Sequence, residues 1–188
     1  MSPYPFSPLR IARRTLRSLR EALTRPNLKP RSRKTFSTSG SIAIAGIFSK
    51  QCGLQRAADL LYLEFEAQKF NVARIDITHL TGNKFDLSRN DTKTIEALRR
   101  APPDSVIIHA PPPIAARFLK HLGQEVYDRT CVIGFWHWET PRAPRDWKAV
   151  AHMMDEIWAP TPFVRDALAA TAPAIPKRRE PETTGEGA

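Results

Sequence analysis

Residues 134–147 read GFWHWETPRAPRDW and place three tryptophans, a histidine and a glutamate within fourteen positions. Trp136, Trp138 and Trp147 offer flat apolar faces of the kind that pack on sugar rings, while His137 and Glu139 offer polar groups for hydroxyls. In an extended segment side chains alternate, so Trp136 and Trp138 point one way and His137 and Glu139 the other. One side can then be core and the other cleft. A core role competes for the tryptophans, most directly for Trp147 and Trp158.

His109 is a second candidate. It ends the apolar run SVIIHA and precedes Pro111, Pro112 and Pro113, which hold the backbone extended. It either hydrogen-bonds a substrate hydroxyl or is a capped structural histidine. A third candidate is GIFSKQCGLQRAA, residues 46–58, where Gly46 and Gly53 lie between a strand and a helix whose first amides could hold a phosphate. It matches neither GxGxxG nor a Walker loop, and a plain turn glycine is the alternative.

The elements that must position these residues alternate from residue 41 onward. Short apolar runs at 42–48, 72–77, 105–110, 130–136 and 155–160 read as strands. Helical patterns lie between and after them, at 53–70 with Leu54, Ala57, Ala58, Leu61 and Phe65 inward, and at 92–100, which Asp91 can cap. Others follow at 113–122, 146–154 and 161–170, the last with Thr161 at its cap and Pro162 in its first turn. The pattern predicts an α/β fold, a Rossmann-like parallel sheet of about five strands with helices on both faces. Ligands of such sheets bind beyond the carboxyl ends of the strands, which points to residues 49–53, 76–79, 109–113 and 137–141.

Composition bounds the partners. The 188 residues, 41% of them hydrophobic, suffice for one domain with additional ends. Ten of the 29 Lys and Arg lie in residues 1–39 with one acid, Glu21, so that arm carries +9 of the net +10. The basicity belongs to the arm, which argues against nucleic acid binding by the domain. Within the arm, Leu9, Ala12, Leu16, Leu19 and Leu23 form a helical stripe ringed by arginines. Residues 8–24 are expected to lie on an anionic membrane surface, or else to form a solvated arm or a helix packed on the domain. Residues through Ser41 read as a flexible linker. Cys52 and Cys131 suggest neither a disulfide framework nor a zinc site, and no metal is expected. With no apolar run of about eighteen residues and no signal peptide pattern, a cytoplasmic protein is expected, peripheral at the inner membrane face if the arm binds lipid. The expected organisation is a basic helix and linker at 1–39, the Rossmann-like domain at 40–172 and a disordered tail at 173–188.

The stretch GFWHWETPRAPRDWKAVAHMMDEIWAPTPFVRDAL resembles bacterial glycosyltransferases of the group 1, family 4 type with the GT-B fold. These share an aromatic loop, a Trp-bearing helix, a DEIW-x-P strand and an F-x-x-DAL helix. GIFSKQCGLQRAADLLYLEFEA is similar to the first loop and helix of their N-terminal domain, and the resemblance covers about residues 41–171. It implies an acceptor-binding domain, the first of two, in an enzyme that moves sugar with retention from a nucleotide sugar to a glycan or lipid-linked acceptor. No obligatory metal and no cofactor beyond the donor are implied. The matching positions imply His109 and Glu139 as catalytic groups, Trp136, His137, Glu139 and Thr140 as acceptor contacts, and Gly53 and Leu54 as the donor-phosphate loop. Gln55 and Arg56 depart from the small and acidic pair usual there. The donor-binding second domain is not represented in the sixteen residues after 172. The chain alone is therefore expected to be inactive, as a truncated remnant or as the partner of a separate C-terminal domain. The alternatives are a noncatalytic sugar- or phosphate-binding module and a membrane-associated partner subunit.

Overall fold

The computed structural model describes residues 27–82, 89–170 and 177–178, with side chains described at 27–82 and 93–170. The strands are β1 (Ile42–Gly46), β2 (Val72–Asp76), β3 (Ser105–His109), β4 (Cys131–Phe135), β5 (Glu156–Trp158) and the two-residue β6 (Lys177–Arg178). They form one sheet in the order β2-β1-β3-β4-β5-β6, and every pairing is parallel. The helices are α1 (Gly53–Ala67), α2 (Arg89–Arg100), α3 (Pro112–Leu122), α4 (Gln124–Arg129), α5 (Trp147–Ala151) and α6 (Pro162–Ala169). The expected Rossmann-like α/β architecture is therefore present.

Parallel strands sandwiched between layers need apolar side chains on both faces. β1, β3 and β4 are buried at every position. One face carries Ala43, Ala45, Val106, Ile108, Val132 and Ile157 and packs on Ile95 of α2, Phe118 and Leu119 of α3, Val126 of α4, Trp147 of α5 and Leu168 of α6. The other carries Ile42, Ile44, Ile107, Ile133 and Phe135 and meets Leu61, Tyr62 and Phe65 of α1. Each fully buried aliphatic of this size contributes about 1.5–3 kcal/mol.

Local chemistry sets the helix ends. Thr161 Oγ1 accepts from the Val164 amide at 3.3 Å, with Pro162 next in line, so α6 has the expected cap. The expected Asp91 cap is corrected: α2 begins at Arg89, so Asp91 lies inside the helix and not at its cap. α1 ends at Ala67, three residues earlier than its periodicity predicts. Lys69 takes φ 61°, its amide donates to Glu66 O at 2.9 Å, and the Phe70 amide reaches back to Phe65 O at 3.1 Å. This is a Schellman closure with a lysine where glycine is usual, and the Phe65 and Phe70 rings seal it at 5.3 Å.

The linker expectation for residues 31–41 is corrected by the course of residues 27–41. That segment forms a strap along the sheet: Leu28 and Phe36 pack on the two cores, and Arg31 and Lys34 reach Asp155. A buried carboxylate recruits donors from any strand that can supply them, and here the strap supplies three of four. Within the stretch expected to be a disordered tail, Lys177 and Arg178 pair with Ile157 and Trp158. The basic helix at 8–24 and the rest of the tail lie outside the described residues. Among the described residues, no helix is long and apolar enough to cross a membrane.

Candidate functional site

The strand order places His109. The chain passes from β1 outward to β2 and then back across β1 to β3, so β1 and β3 are neighbours whose onward connections diverge. Such a switch point opens a crevice beyond the strand ends, where α/β sheets bind ligands. Gly46 and His109 are register partners at that point. Pro111 and Pro112 start α3 immediately after it, with the Ile114 amide closing the turn on Pro111 O at 2.9 Å.

His109 is fully buried, and its Nε2 lies 3.1 Å from Nε2 of His137, which is half-buried and leaves the end of β4. Phe135 closes the group: it stacks on His137 at 29° between planes and meets His109 edge-on at 5.0 Å. Burial first, and then the neighbouring His137 ring, push the His109 pKa down to about 4. His109 is therefore neutral at neutral pH. Among the described residues its Nδ1 has no hydrogen-bond partner. In the Nε2 to Nε2 bond one ring donates and the other accepts. The pair can take up one proton and keep that bond; a second proton would set two N–H groups against each other.

The alternation expected in the opening stretch is observed. Trp136 and Trp138 turn to one core, and His137 turns with Phe135 to the opposite side. Trp136 is 1% exposed, so the predicted acceptor-contacting Trp136 is a core residue with no face for a ligand. Trp147 is core as well. It meets Trp138 edge-on at 4.7 Å, and the Trp138 indole N–H donates to Arg142 O at 2.9 Å. Thr140 is exposed and spends its hydroxyl on the same Arg142 carbonyl at 3.1 Å. Glu139 is exposed, and its carboxylate has no partner among the described residues. The structure thus brings His109 and His137 together, but among the described residues no hydrogen bond or ion pair joins Glu139 to them.

The two glycines of the first loop separate in role. A Cβ on Gly46 would meet the Ala58 methyl at 2.9 Å, so Gly46 lets α1 approach β1. Around Gly53 nothing lies within 4 Å of such a Cβ, and Cys52 makes no side-chain cap, so the start of α1 at Gly53 and Leu54 is open. Asp76, at the end of β2, is spent on structure: it accepts from the Phe48 amide at 3.2 Å, from the Thr78 amide at 2.9 Å, and from the Ser49 and Thr78 hydroxyls. Burial alone would raise its pKa, and these bonds outweigh it and hold the carboxyl below its usual range. Among the described residues, no group of three or more His, Cys, Asp or Glu is placed to hold a metal ion.

Sequence reasoning found both histidines but not their pairing, since strand order is not written in periodicity. It also missed Asp155, whose apolar neighbours in DEIWAP were the available signal of a buried acid that needs donors. Searches against protein-family models, curated proteins and solved structures find no match for this chain.

Proposed function

We propose that this chain is the acceptor-side half of a sugar-transferring enzyme of the two-domain GT-B kind, with His137 presenting the acceptor hydroxyl and His109 holding the His137 ring. The supporting observation is the His109–His137 pair at the carboxyl edge of the sheet, beside the β1/β3 switch point. Neutral His109 fixes the orientation of His137 without adding a charge, as a ring meant to orient a sugar hydroxyl requires. The resemblance of residues 134–168 to group 1, family 4 glycosyltransferases supplies the reaction class. The donor nucleotide sugar is assigned to a second Rossmann-like domain, on a separate or a longer polypeptide. Glu139, exposed beside this edge, is free to meet the acceptor when the halves close.

The test is acceptor binding by the full chain. Saturation-transfer NMR with mono- and disaccharides is expected to show contact that His137→Ala removes and Glu139→Gln weakens. Sugar binding unchanged in His137→Ala, or no binding of any sugar at concentrations on the order of tens of mM, would overturn the reading. When the chain is joined to a matching C-terminal domain, Glu139→Gln is expected to lower turnover tenfold or more, about the effect of one lost charge-assisted contact.

A further inference from the structure

The loop PRAPRDWK, residues 141–148, builds a second feature away from the histidines. Arg142, Arg145 and Lys148 are exposed and, with Ala143 and Ala170, line a groove of about 490 Å³. Among the described residues, their side chains have no hydrogen bond or ion pair. Asp146, the loop's own carboxylate, and Glu139 just before the loop are not among the described residues that line the groove, and Asp166 of the adjoining helix is engaged by Arg165 Nε at 2.8 Å. Three like charges around one concavity repel each other, and an anion seated between them removes that penalty.

The loop backbone is held in place. Arg142 O accepts from both the Trp138 indole and the Thr140 hydroxyl, Ala143 is buried, and the Ala143 amide donates to Ala167 O at 3.4 Å. The Trp147 amide closes on Pro144 O at 3.1 Å. The cations therefore project from a backbone that needs no ordering when a ligand arrives, which saves part of the entropy cost of binding. Guanidinium forks match the oxygens of a phosphoryl group, and the lysine adds a point charge.

We propose that this groove binds a phosphate-bearing ligand whose phosphoryl group is held by Arg142, Arg145 and Lys148. The inference goes beyond the sugar-transfer reading and does not depend on it, since no residue is shared with the histidine pair. A soluble phosphoester and a lipid headgroup present the same chemistry, and the experiment separates them.

Isothermal titration of the full chain with inorganic pyrophosphate and with glycerol 3-phosphate tests the soluble source. Flotation with phosphatidylcholine vesicles, with and without phosphatidic acid, tests the lipid source. The R142Q/R145Q/K148Q variant is expected to lose tenfold or more in affinity for whichever probe binds. An R13Q/R14Q/R17Q variant is expected to keep pyrophosphate binding. On the unmutated chain, the Trp138 indole N–H resonance is expected to shift on titration, because its acceptor is the Arg142 carbonyl. That readout stands even if the triple variant folds poorly. Binding to phosphatidic acid vesicles alone, lost in the loop variant, assigns the headgroup as the source. The proposal is overturned if the loop variant binds like wild type, if only the arm variant loses binding, or if neither probe binds or moves the indole signal at millimolar levels.

Discussion

The Trp136 indole lies so close over Gly134 that a Cβ added to the glycine would stand 2.7 Å from both Cε2 and Nε1 of the ring. Gly134 is thus the seat of the largest fully buried side chain in the described core. Gly134→Ala forces the indole out of its slot and is expected to destabilise the domain by about 1–3 kcal/mol, the usual cost of overpacking. Trp136→Ala leaves a void and costs about 3–5 kcal/mol. Urea titrations followed by fluorescence measure both, and an unchanged midpoint in Gly134→Ala would show that the indole has another place to go.

His109 makes stability depend on pH in a calculable direction. Its pKa is depressed from 6.5 to about 4 by burial and then by His137. The unfolded chain binds a proton near the ordinary histidine value, whereas the folded chain refuses it until far lower pH. Stability is therefore complete above the unfolded value and falls as pH drops through the window between the two. Over that window the loss from this one group is about 3 kcal/mol. His121, depressed by burial and then by His79, Lys120 and Arg99, acts with the same sign. Comparing wild type with His109→Phe by urea unfolding at about pH 7.5 and about pH 4.5 isolates the first contribution. Equal losses in the two proteins would assign the pH dependence elsewhere.

Asp155 is 3% exposed and receives Arg31 Nη1 at 3.0 Å and Nη2 at 2.6 Å, together with the Lys34 and Val132 amides. Arg31 also donates to Thr130 O at 2.9 Å. Arg31→Ala strands a buried carboxylate and is expected to cost about 3–5 kcal/mol. Arg31→Lys recovers only part of that, since an ammonium cannot reach both carboxylate oxygens and the carbonyl in one fork. A full rescue by lysine, read as melting temperature, would reduce the contact to simple charge.

Lys69 occupies the left-handed position that closes α1. A side chain there costs about 1 kcal/mol relative to glycine, so Lys69→Gly is expected to stabilise the domain by up to that amount. A lowered unfolding midpoint would instead credit the lysine with a compensating contact.

The alternating fold was legible because buried parallel strands must be continuous apolar runs, and SVIIHA and TCVIGFW are such runs. β6 escaped notice because Lys177 and Arg178 carry no apolar signal, and α4 because six residues are too few for a period to register. Residues 31–41 read as a linker on composition, because the binding of the strap is carried by single residues such as Arg31 and Phe36, scattered among serines and lysines. At the site, alternation correctly separated Trp136 and Trp138 from His137. Which side would be core was not legible, since that depends on which elements cover each face. The pairing of His109 with His137 depended on β3 and β4 being neighbours, a fact of topology.

The strap also bears on the order in which the molecule assembles. Arg31 is synthesised 124 positions ahead of the carboxylate it binds, and Lys29 precedes its partner Gln124 by 95. While the chain is being made, these groups have nothing to hold, and Leu28 and Phe36 have no completed sheet to rest on. Contacts so distant in sequence close late, after the chain entropy of the intervening loop has been reduced by local folding. The first described segment to leave the ribosome is thus expected to be fastened late, once Gln124, Thr130 and Asp155 are all in place.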